Sequence, residues 1–236
     1  MVQPRSVRDM YDKDLTGSPV WLADKWREET ELVLTALSPY RNRMVVKGIN
    51  EPAMQHLPFM LAFEQRRLDH AEDLGIKLAC FSLPVGIMEP EDFAFLYPVL
   101  ERMNQRGDVL DFHAYYAIRP DHPDHYKWLP FRYRRWYTDY FEPNGLTNIP
   151  FWIGETGSEE FGNIPGSGPW RQIMGQTSQY MGHLKYLDGE YAKDPYVMAA
   201  LTFLWGYWPP IPVDRWQYYD IGQFSDDYGG YIRSKN

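Results

Sequence analysis

Two glutamates stand where short apolar runs stop. Glu51 closes Val45-Val46-Lys47-Gly48-Ile49-Asn50-Glu51-Pro52, and Glu155 closes Ile149-Pro150-Phe151-Trp152-Ile153-Gly154-Glu155-Thr156-Gly157. Runs of this kind read as buried strands, and a side chain at a strand end sits on a rim where it can meet a substrate. Two carboxyl groups suit acid–base chemistry, in which one gives a proton while the other attacks or takes one. Other strand ends offer partners. Asn50 precedes Glu51, and Ser82 and Pro84 close a second run. Asp111, His113 and Tyr115 alternate along a third, and Trp205 and Tyr207 along the last, so each set shares a face.

These residues need elements to hold them. Leu22, Trp26, Val33, Leu34 and Leu37 recur at roughly helical spacing, which predicts a helix over 18–38. A strand over 44–50 follows, then a helix over 54–74 that stops at Gly75. A strand over 76–83, a helix over 91–104 closed by Arg106-Gly107, and a strand over 109–116 come next. A connection over 117–129 holds two histidines and two prolines. A helical piece over 131–140, a strand over 150–154, a helix over 170–191 and a strand over 197–205 complete the alternation. The remaining C-terminal segment shows no clear helix. Near-continuous apolar strands alternating with helices predict an α/β fold with a parallel sheet, either doubly wound or a (β/α) barrel. No Gly-rich phosphate fingerprint follows the first strand, and polar residues gather at C-terminal strand ends, which favours the barrel. One domain over 1–236 is expected.

Composition narrows the function. The net charge of −8 argues against sequence-independent nucleic-acid binding, which needs a basic footprint. Cys80 is the single cysteine, so no internal disulfide forms, and its apolar run predicts a buried thiol. No run is apolar enough to span a membrane, and Met1-Val2-Gln3-Pro4-Arg5 lacks the apolar core of a secretory signal. Compartment stays open. Aromatic residues make up 17% of the chain, which serves either an aromatic core or a cleft whose flat faces take sugar rings.

The strand-end set is a kit for glycoside cleavage. One carboxyl protonates the leaving oxygen, the other attacks or activates water, the amide and imidazole bond hydroxyls, and the indole stacks under a ring. In these residues the chain resembles the clan A (β/α)8-barrel retaining glycoside hydrolases, similar to family 5 endoglycanases. There an Asn-Glu-Pro segment ends strand four with the acid/base, and a second Glu ends strand seven as nucleophile. Asn50-Glu51-Pro52 matches the first motif and Ile153-Gly154-Glu155-Thr156-Gly157 resembles the second. Two strands lie between them, so the spacing agrees. The resemblance implies Glu51 and Glu155 as catalytic residues. It implies Asn50, His113, Tyr115, Trp205 and Tyr207 as substrate-binding or supporting residues, a carbohydrate as partner, and neither cofactor nor metal. The family is often secreted. The segment before Ser18 is too short for strands one to three, so the expected barrel is partial, with strands four to eight present. An open apolar edge is expected, with the remaining strands supplied by a longer chain or another subunit. The family's strand-two Arg and strand-three His have no counterpart here.

Plainer roles compete for the same residues. Glu51 could cap the helix that starts near Met54, Glu155 could be a loop acid, and His113 a satisfied core histidine. Asp121-His122-Pro123-Asp124-His125 carries metal-ligand residue types without helical spacing and reads as a solvated loop. Arg132-Tyr133-Arg134-Arg135-Trp136 reads as an exposed helix face, and Lys47 as a partner for Asp111. Two other functions stand beside glycoside cleavage: a carbohydrate-binding or structural remnant without turnover, and a phosphate-handling barrel enzyme using the loop over 162–166.

Overall fold

In the computed structural model the backbone is described for residues 15, 17–117, 129–159, 177–202 and 225–235. Helix α1 (Pro19–Ala36) starts where Ser18 accepts a hydrogen bond from the Trp21 amide at 3.3 Å and Pro19 presets the first turn. Its buried stripe is Leu22, Ala23, Trp26, Thr30 and Leu34. Strand β1 (Val45–Lys47) follows, shorter than the expected 44–50. The backbone beyond it is pressed against a neighbour, since a Cβ on Gly48 would lie 2.9 Å from Cζ of Arg67.

A 3-10 turn (Met54–His56) leads into α2 (Leu57–Leu74), which Gly75 ends in the left-handed conformation at φ 63°. Strand β2 (Lys77–Leu83) is buried at every residue after its first. Helix α3 (Phe93–Arg106) follows a turn capped reciprocally by Glu89 and Asp92, and Gly107 stops it at φ 66°. Then come β3 (Val109–Ala117), the short α4 (Tyr133–Trp136) with one π-type turn (Tyr137–Phe141), β4 (Phe151–Glu159), α5 (Thr177–Tyr191), β5 (Val197–Thr202) and α6 (Ser225–Arg233).

The strands form one sheet in the order β1-β2-β3-β4-β5, all parallel. The α/β class expected from the alternation is what the chain adopts, in a form compatible with part of an α/β barrel. Val45, Val46 and Lys47 pair with Lys77, Leu78 and Ala79. Ala79 and Cys80 pair with Val109 and Leu110, but Leu83 pairs with Phe112, so β2 carries one extra residue between the two registers. That bulge falls on Phe81 and Ser82, both left-handed at φ 74° and 46°.

Contacts divide the chain into two units. The first holds the described residues as far as His113, with Arg132–Gly154 and Tyr196–Ala199. Its aromatic core gathers Phe93, Phe112, Trp136, Phe141 and Phe151 with ring centroids 5.0–5.8 Å apart. Each such ring contributes about 1.5–3 kcal/mol by burial. Much of the aromatic content therefore goes into packing. The Arg132–Trp136 run is not the exposed face expected of it: Arg132, Tyr133 and Trp136 are buried. The apolar spacing ran across both aromatic and basic residues, and Arg132 is drawn inward by Glu89 at 2.5 Å.

The second unit holds Ala114–Phe131, Glu155–Pro195 and Ala200 onward, as far as these are described. Tyr180, Met181 and Leu184 of α5 pack against Tyr228 and Tyr231 of α6. Helix α6 corrects the expectation of no C-terminal helix. Its Gly229-Gly230 pair lowers local propensity, and packing on α5 overrides it, with Asp226, Asp227 and Arg233 matching the helix dipole. Among the described residues no helix is long and apolar enough to cross a membrane.

Candidate functional site

The first carboxyl centre lies in the first unit. Glu51 is four residues past β1, at φ 50°, a left-handed conformation uncommon for a side chain of this size. Its amide donates to the Ser82 carbonyl at 3.0 Å, so the bulge in β2 provides the bond that holds this turn. Strain of this kind persists only where the surroundings enforce it, and it clusters at functional sites. Glu51 does not cap the following helix, because Ala53 occupies the N-cap position. Its carboxyl instead meets His113, with Nδ1 2.6 Å from Oε1.

Behind His113 lies a buried chain of polar groups. Lys47 Nζ is 3.4 Å from His113 Nε2 and 3.1 Å from Asp111 Oδ2, and Ser82 Oγ donates to that same Oδ2 at 2.6 Å. The Lys47–Asp111 pairing expected from the sequence is present, with both side chains at 5% exposure or less. Removing one partner of such a pair costs about 3–5 kcal/mol, because the other is left charged and buried. The remaining oxygen of Asp111, Oδ1, is buried with no hydrogen-bond partner among the described residues and faces Gly154. Trp26 Nε1 donates to the Lys47 carbonyl at 3.0 Å, which ties α1 to the strand that carries the lysine.

Burial pushes the Glu51 carboxyl up, but the His113 hydrogen bond, the electrostatic attraction of the His113 ring and the Lys47 charge outweigh it and hold the group below its ordinary value. The division of labour expected from the sequence asks Glu51 to give a proton. Its surroundings in the free protein favour the ionised form.

The second carboxyl centre lies in the second unit. Glu155 is inside β4, which runs on to Glu159 rather than stopping at the expected residue 154. Tyr115 of β3 donates its hydroxyl to Glu155 Oε2 at 2.9 Å, so the phenol holds the carboxylate as expected. On the opposite strand face Thr156 Oγ1 donates to the Ala114 carbonyl at 2.8 Å and lies 2.9 Å from the Tyr191 hydroxyl. This clamp fixes the β3–β4 register that brings Tyr115 to Glu155. Sequence reading missed Thr156 and Tyr191. The one available signal was a buried-strand threonine next to the glutamate.

Asn50 is partly buried on the turn before Glu51 and takes no part in the hydrogen-bond chain. Trp205 and Tyr207 lie outside the described residues, as do the histidine-bearing loop, Trp208, Glu160 and the glycine stretch over 162–166; the side chains of Tyr116 and Glu159 are likewise not described. His113 is buried with both ring nitrogens facing protein groups, which suits holding Glu51 rather than bonding a hydroxyl.

No protein-family model matches the chain, and no curated protein matches it in sequence.

Proposed function

We propose that the chain is a glycoside hydrolase, cleaving O-glycosidic bonds in oligo- or polysaccharides, β-linked by preference, by a retaining two-glutamate mechanism. In this reading β1 to β5 are strands four to eight of a clan A (β/α)8 barrel. The observation that carries it is the provision made by one strand, β3, for both glutamates. His113 serves Glu51 at 2.6 Å, and Tyr115, two residues on, serves Glu155 at 2.9 Å. Both glutamates stay partly exposed while the side chains that hold them are buried, so each carboxyl is oriented and still within reach of a substrate.

Glu155 attacks the anomeric carbon and forms a glycosyl-enzyme while Glu51 protonates the departing oxygen. Glu51, now ionised, then takes a proton from a water whose oxygen attacks the anomeric carbon and displaces the Glu155 carboxylate, which releases the sugar with retained configuration. Tyr115 bonds Glu155 and holds it in place, which is part of what the family's strand-two Arg does for the nucleophile. Asn50 binds a hydroxyl beside the reacting carbon, and the resemblance assigns substrate contacts to Trp205 and Tyr207 as well, which lie outside the described residues. No metal or cofactor enters this scheme.

Hydrolysis of a panel of aryl β-glycosides, with Glu155→Gln as control, tests the reading. Turnover that the substitution abolishes supports it, and turnover that survives refutes it. Sugar binding without turnover would favour a carbohydrate-binding remnant. A crystal structure adds a geometric test: the carboxyl groups should stand roughly 5–5.5 Å apart for retention, whereas about 6.5–9.5 Å would mean inversion.

A further inference from the structure

The buried chain behind Glu51 has a direction. An ammonium has only hydrogens to give, so Lys47 donates along each of its contacts. It spends one on Asp111 Oδ2 at 3.1 Å, and it faces His113 Nε2 at 3.4 Å, long for a hydrogen bond but within reach. A nitrogen that faces an ammonium must be the acceptor. The ring proton of a neutral His113 is then on Nδ1, where it is donated to Glu51 at 2.6 Å. Reverse the tautomer and Nε2–H points at the ammonium while a bare Nδ1 points at the carboxylate, with two repulsive contacts in place of two attractive ones.

We propose that Lys47 is a positioning residue. Held by Asp111, to which Ser82 also donates, it fixes His113 in the Nδ1–H tautomer, and through His113 it sets the orientation of Glu51. Its consequence for turnover rests on the glycosidase reading; the tautomer does not. Within the first unit Lys47 on β1 meets the His113 ring at Nε2 and Glu51, on the turn after β1, meets it at Nδ1, while Asp111 on β3 meets Lys47 and the neutral Ser82 on β2 meets Asp111. Lys47 is the member that meets both a carboxylate and the imidazole. Asp111 keeps it from being an isolated buried cation, which explains why a lysine is tolerated in a strand that is otherwise apolar.

Side-chain nitrogen-15 NMR of the full chain near neutral pH reads the tautomer without any substitution. The expected result is a protonated Nδ1 and a bare Nε2 on His113; a protonated Nε2 with a bare Nδ1 overturns the inference. In Lys47→Met the His113 tautomers should mix, and the Glu51 carboxyl, followed by carbon-13 shift, should titrate at higher pH than in the wild type. If neither moves, Lys47 is a packing residue only and the inference fails. Should Lys47→Met not fold, the double change Lys47→Met with Asp111→Asn removes both buried charges and is read in the same way. The basic limb of kcat/KM on aryl β-glycosides should rise with the Glu51 titration. A wild-type chain with the expected tautomer and no hydrolysis would sink the glycosidase reading and leave the role of Lys47 intact.

Discussion

Gly154 lies directly against the buried carboxylate of Asp111. A Cβ at residue 154 would sit 3.0 Å from the Asp111 carboxyl carbon and closer still to Oδ1. The glycine next to Glu155 is therefore required by packing. Gly154→Ala should push Asp111 off Lys47 and Ser82 and lower stability by about 1–3 kcal/mol. Denaturant unfolding measures it, and an unchanged midpoint would show that Asp111 yields freely.

Tyr115→Phe removes one hydroxyl and its bond to Glu155. A hydrogen bond to a charged group is worth about 1.5–3 kcal/mol, so kcat/KM on an aryl β-glycoside should fall by about 10- to 100-fold. Thermal unfolding of the variant should change little beside that. A loss of stability without a loss of rate would make the contact structural.

Glu51→Gln leaves no proton to give. The rate should drop by about 100- to 10,000-fold on substrates whose leaving group needs protonation. Aryl glycosides with strongly acidic phenols should lose far less, because their leaving groups depart as anions. Equal losses across a leaving-group series would remove Glu51 from the acid role.

The lowered Glu51 value also links to stability. A carboxyl depressed on folding adds stability above its ordinary value of 4.5, and that contribution disappears as pH falls through the folded value. The stability gap between wild type and Glu51→Gln should thus be constant around neutrality and close below about pH 4.5. Unfolding curves across that interval decide it; a gap that widens on acidification contradicts the direction of the shift.

Cys80 should be inert while the protein is folded. Burial pushes its thiol well above 9.0, the Glu64 charge adds to that, and Arg67 opposes it. A disulfide reagent should label it only under denaturing conditions, since the thiolate is the reactive form. Rapid labelling of native protein would mean that β2 opens.

The alternation of apolar strands and periodic helices was enough to read the α/β class, because a parallel strand buried on both faces and an amphipathic helix leave unmistakable patterns. Gly75 and Gly107 marked helix ends because only glycine takes their positive φ at no cost. That Glu51, His113, Tyr115 and Glu155 belong to the strands or their margins was legible for the same reason, although His113 and Glu155 stand inside β3 and β4 rather than at their ends. What the sequence could not show was register. The Lys47–Asp111 pairing was anticipated, but the extra residue in β2, the left-handed Phe81, Ser82 and Glu51, and the link from Lys47 on to His113 depend on which residues of separate strands come level. Helix α6 was hidden too, because its glycines argue against a helix until packing on α5 supplies the stability they lack. Local patterns are written in neighbouring residues. Which carboxylate meets which imidazole is decided across the sheet, where the tertiary structure alone sets the distances.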